Sequence, residues 1–106
     1  MNFLEQDFER RVRSALSECH QLGYHPRDFE GMLSNSSAVL VTRRLVTSGN
    51  IQAGLNRLAE MGRLDLSVES IMLETVFESL FEKPLRDAAQ WRLNQVSPHY
   101  LRYKNP

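Results

Sequence analysis

The chain carries one cysteine, one tryptophan and no formal net charge, and no apolar run approaches the roughly 18 residues that cross a bilayer. Each shortage removes a class of protein. Cys19 alone forms no intramolecular disulfide, which points to a reducing compartment. Charge neutrality argues against a dedicated polyanion binder, because phosphate affinity comes from clustered Lys and Arg that release counterions. The N-terminal stretch MNFLEQDFERRVR is charged from Glu5 onward and lacks the apolar segment of a secretory signal. A cytoplasmic location away from membranes is therefore expected. The five glycines are scattered rather than gathered into a phosphate-cradling loop.

What is present reads as helix. Leu4, Phe8, Val12, Ala15, Leu16, Cys19 and Leu22 recur at spacings of three and four, a single stripe along residues 3–22 that Gly23 closes with a left-handed cap. Pro26 suits a first helical position, with His25 as cap and with Tyr24 and Phe29 at the two places of a hydrophobic staple. Residues 38–47, AVLVTRRLVT, are rich in β-branched side chains, yet Ala38, Val41 and Leu45 keep helical spacing, Ser36 or Ser37 offers a cap, and a lone strand has no partner. Helix is expected there. Ile51, Leu55, Leu58 and Ala59 make another, stopped at Gly62; Ser67 caps the next, with Leu66 and Ile71 as a second staple. That helix is expected to break near Thr75 and resume with Phe77, Leu80 and Phe81. Pro84 starts the last, with Leu85, Ala88, Ala89, Leu93 and Val96 as its stripe and Trp91 to one side, and Pro98 is expected to end regular structure. The expected fold is all-α: a compact single-domain bundle of five to seven short helices over residues 1–97, followed by a basic and aromatic tail, 98–106.

Helix, short turn, helix at GRLDLSVESIML raises the question of DNA reading. The second helix of such a pair enters the major groove and needs outward basic side chains. Here there is no Lys or Arg between Arg63 and Lys83, whereas Asp65, Glu69, Glu74, Glu78 and Glu82 are acidic. The turn is architecture. Residues 60–82 hold six acids against Arg63, a net of −5, and residues 83–106 hold five basic residues against Asp87, a net of +4, so the two stretches are placed to neutralise each other or a shared interface. A nucleic-acid role falls instead to Arg43, Arg44 and the tail residues Tyr100, Arg102, Tyr103 and Lys104, where aromatic and basic side chains alternate. The competing reading folds the tail over the bundle, rings on the core and cations in water.

Nothing in the sequence assembles an enzyme, a cofactor site or a metal site. Cys19 lies on the apolar stripe of the first helix while His20 points about 100° away, so the two do not converge on one ion. His25 is explained as a helix-start residue, and Glu74 and Glu78 as a solvated pair on one helix face. Two segments are apolar on more than one face: AVLV (38–41), and IML (71–73) with Phe77 and Phe81. Val39, Leu40, Met72, Phe77, Phe81 and Trp91 are accordingly the candidates for a protein interface, formed with a partner or with a second copy. The competing reading buries these helices on all sides.

GYHPRDFEGML and GRLDLSVESIMLETVFESLF together resemble a small helical domain of uncharacterised bacterial proteins. Its pattern, Tyr-x-Pro-x-x-Phe followed by Gly-Arg-x-Asp-Leu-Ser-x-Glu and a Leu-Phe pair, falls on Tyr24, Pro26, Phe29, Gly62, Arg63, Asp65, Leu66, Ser67, Glu69, Leu80 and Phe81. The likeness spans residues 22–96 and implies an all-α fold, helix over 38–47, and a bacterial or mobile-element setting. It brings no catalytic residues. The expected function is a non-enzymatic interaction or accessory module, with nucleic-acid binding as the alternative.

Overall fold

The structure, a computed structural model, describes residues 2–48 and 53–104, with side chains through Val96. Among these residues there are six α-helices and no strand: α1 Phe3–Gln21, α2 Arg27–Leu33, α3 Ala38–Thr47, α4 Ala53–Glu60, α5 Val68–Met72 and α6 Lys83–Lys104. Two 3₁₀ segments, Leu64–Leu66 and Thr75–Leu80, sit on either side of α5. A radius of gyration of 13.2 Å is that of one domain, since about 13 Å is expected at this length. The all-α single-domain bundle read from the periodicity is the fold observed.

The helix ends follow from local chemistry. Asn2 caps α1 by accepting the Glu5 N–H at 2.8 Å. At the other end Gly23 takes φ 85°, and the Tyr24 and Gly23 N–H groups return to the Cys19 and His20 carbonyls at 2.9 and 3.0 Å. This is the Schellman arrangement that a glycine permits. The same pair of bonds recurs after α4, where Gly62 takes φ 70° and Arg63 and Gly62 donate to Leu58 and Ala59. Ser37 and Ser67 cap α3 and α5 through their hydroxyls. At α3 a second acceptor arrives from outside, because Glu9 on α1 takes the Ala38 N–H at 2.9 Å. A carboxylate there satisfies an orphan donor and meets the positive end of the helix dipole.

Packing is organised around α1 and α6. Helix α6 lies against α3, α4 and α5, and α1 lies against α3, α5 and both 3₁₀ segments. Phe8 of α1 is fully buried, with the Phe77 and Phe81 rings edge-on to it at centroid distances of 5.2 Å each. Val41, Met72, Ile71 and Ala89 complete the interior around them. Val39, Met72, Phe77 and Phe81, four of the six interface candidates, are therefore core residues. Helices apolar on several faces are here surrounded on several faces. Only Leu40 and Trp91 remain exposed, at 46% and 53%.

Three local expectations shift. Helix α2 begins at Arg27, with Pro26 as the flanking residue, so Tyr24 and Phe29 fall one place out of staple register, though both pack on the core. Glu74 and Glu78 do not share a helix face: α5 stops at Met72 and leaves Glu74 in the turn before the 3₁₀ segment. Helix α6 runs through Pro98 to Lys104 instead of ending there. The locked φ of proline is a helical one, so the backbone continues at a cost of about 3 kcal/mol in a lost hydrogen bond and crowding. Residue 51 and the side chains of Tyr100, Arg102, Tyr103 and Lys104 lie outside what is described.

Candidate functional site

A cleft of about 600 Å³ lies between the second half of α1, α2, the end of α3 and the start of α4. Its formation follows from the two glycine turns. Gly23 reverses the chain after α1 and sets α2 off to one side, and Gly62 drops the chain from α4 into the 3₁₀ turn beneath. Leu16, Phe29, Met32 and Leu45 wall the space, and Leu66, Val68 and Ile71 floor it. Most of the lining is apolar, and the cleft is open to solvent on one side.

Tyr24 is built into this cleft. Its hydroxyl rests over Gly54 on α4, so close that a Cβ placed on Gly54 would lie 2.5 Å from it. A glycine at this helical position therefore has a packing reason: it admits the phenol. Burial pushes the Tyr24 phenol above its ordinary pKa, while the charge of Arg57 on α4 pulls it the other way. Cys19 also lines the cleft and is 2% exposed. Burial first, then the charge of Glu18, raises its thiol, which keeps it protonated and unreactive.

Charge is distributed unevenly around the molecule. Arg10, Arg11, Arg13, Arg63, Lys83, Arg86 and Arg92 are each ion-paired with a carboxylate. Arg43 donates to the Leu80 carbonyl at 3.0 Å. The pairs Arg86–Glu78 and Arg92–Glu69 join the acidic stretch before residue 83 to the basic stretch after it, so part of that polarity is spent inside the fold. Arg44, a nucleic-acid candidate, is exposed and lines the cleft. Sequence reasoning passes over Arg27 in the same lining, and over Arg57, because isolated cations on short helices carry no pattern.

A second hollow of about 340 Å³ lies between α1 and α2. There His20 Nε2 approaches Glu30 Oε1 at 2.7 Å, and the His25 ring stands edge-on to His20 at 4.5 Å. Cys19 points away into the cleft. No group of three or more His, Cys, Asp or Glu among the described residues is arranged to hold a metal ion. No helix among them is long and apolar enough to cross a membrane. Comparison with known proteins adds nothing to this geometry: no protein-family model, curated protein or solved structure matches the chain significantly.

Proposed function

We propose that the chain is a non-enzymatic interaction module that receives the apolar part of a protein partner in the cleft beside Tyr24. One observation carries this reading: a domain of 106 residues leaves about 600 Å³ of largely apolar space open to solvent. Binding sites occupy roughly 300–1,000 Å³ and are lined mostly by apolar side chains with a few polar groups. Met32, half in the cleft and 37% exposed, supplies the adaptable thioether surface that such sites favour.

The site differs from the one the sequence nominated, since four of those six residues are core. Nucleic-acid binding through Arg43 and Arg44 is less favoured, because Arg43 is committed to the Leu80 carbonyl. By resemblance, the setting we propose is a bacterial or mobile-element complex in the cytoplasm, in which this chain is an accessory.

The test compares wild type with Met32→Glu in affinity capture from the native lysate, with oligomeric state measured in parallel. The expected result is a partner or second copy held by wild type and lost by the variant at unchanged melting temperature. A monomer that captures nothing removes the reading. A partner held equally by both proteins moves the site away from the cleft.

A further inference from the structure

We propose that the occupant of the cleft is an acidic amphipathic helix of the partner, an inference that rests on the cleft being a docking site. Its ground is where the unspent positive charge lies. Eleven Lys and Arg side chains fall within residues 2–96, and all but three have a carboxylate or carbonyl partner among the described residues. The three are Arg27, Arg44 and Arg57. Arg27 and Arg44 line the cleft mouth. Arg57 stands one helical turn beyond Gly54, near enough for its charge to act on the Tyr24 phenol beside it. Two of the three cations left unpaired thus line one apolar cleft, and the third lies on the helix that carries Gly54.

The opposing charge there is small. Asp28 is the only exposed carboxylate in the lining, and Glu69 at the floor is buried and held by Arg92. Two guanidinium groups in the lining of an apolar trough, with Arg57 close by on α4, complement a ligand whose apolar stripe is flanked by carboxylates. Arginine at an interface rim steers encounter and sets register with acidic partners.

The fold selects the form of that ligand. Addition of a strand needs an exposed sheet edge, and no strand is present among the described residues. Helix-in-groove recognition needs an apolar trough that accepts anchors at i, i+3, i+4 and i+7, with polar positions on both flanks. An aliphatic small molecule would fill the floor but leave Met32 and the open mouth in water. A helix covers both.

The experiment uses the intact chain and three fluorescein-labelled helical peptides of about 16 residues, long enough to hold helix. One has Leu at the anchor positions and Glu on the flanks. Its twins carry Lys on the flanks, or Ala at the anchors. The acidic peptide is expected to bind about tenfold tighter than its Lys twin at low salt, with the ratio collapsing at high salt. Removal of the Leu anchors abolishes binding. Arg44→Glu and Arg27→Glu, both at exposed positions and checked for unchanged melting, each reduce or invert the charge preference. Equal binding of the acidic and basic twins overturns the inference but leaves the cleft as a docking site. If neither peptide binds while capture from lysate still depends on Met32, the inference again fails alone. Displacement of the acidic peptide by an oligothymidine would assign the rim to nucleic acid and overturn it.

Discussion

Arg92 on α6 donates its Nε–H to Glu69 Oε2 on α5 at 2.9 Å, with only 2% and 4% of the two side chains exposed. A buried pair of this kind neutralises itself, and its net contribution relative to apolar residues is small. Losing one partner is different, because the survivor is left as a charge in the interior. Arg92→Leu or Glu69→Gln is expected to cost about 3–5 kcal/mol in urea unfolding. The double variant Glu69→Met, Arg92→Leu should return to within about 1 kcal/mol of wild type. A double variant no better than either single would mean that the pair does more than cancel its own charge.

The positions of the apolar side chains make a second prediction. Phe81 is 2% exposed and edge-on to Phe8, whereas Trp91 is 53% exposed. Phe81→Ala removes a ring from the centre of the core and should destabilise by about 3–5 kcal/mol. Trp91→Ser and Leu40→Ser should stay within about 0.5 kcal/mol of wild type. Chemical denaturation of the three variants separates core from surface. Equal destabilisation of Phe81→Ala and Trp91→Ser would contradict the burial described.

These residues also mark how far the sequence could be read. The caps were legible: Gly23, Gly62, Ser37 and Ser67 act where their types place them, because cap chemistry is local. Residues 38–47 were legible as helix despite their β-branched content, since Ala38, Val41 and Leu45 make one face and all three pack into or against the core. Whether Val39 and Phe77 face a partner or the interior was not legible. That depends on α6 and α1 closing over them, a tertiary fact with no local sign. Arg92 hides for the same reason: on a stripe of Leu85, Ala88, Ala89 and Val96 it passes for a surface cation until Glu69 is seen opposite. The cleft is a shape left between four helices, and single-helix periodicity contains no information about it.

Asp65 supplies the pH dependence. Arg63 donates to both its carboxylate oxygens, at 3.0 and 3.1 Å, and this hydrogen bonding holds the carboxyl below its ordinary pKa. The folded value lies below the unfolded one, so the stabilisation is full above about pH 4, the unfolded value. It is lost as pH falls through the folded value. Because Asp65 is 58% exposed, solvent screening limits the contribution to roughly 0.2–1 kcal/mol. Asp65→Asn should therefore be slightly less stable than wild type at pH 7, and the gap should close on acidification below about pH 4. Urea midpoints across that range measure it. A gap that widened in acid would reverse the sign argued here.

Tyr24 and Gly54 should prove energetically coupled. Replacing a helical glycine by alanine ordinarily gains about 0.5–1 kcal/mol. At Gly54 the new Cβ would meet the Tyr24 hydroxyl at 2.5 Å, with the ring carbon behind it at an unstrained 3.8 Å. The clash therefore belongs to one oxygen. In wild type, Gly54→Ala must swing the Tyr24 ring aside, and the helical gain should be cancelled or reversed. In a Tyr24→Phe background that oxygen is gone, and the same substitution should stabilise by its full ordinary amount. The resulting coupling of about 1 kcal/mol is read from a four-member denaturation cycle. Equal effects of Gly54→Ala in both backgrounds would separate the two residues, and with them the wall of the cleft that Tyr24 forms against α4.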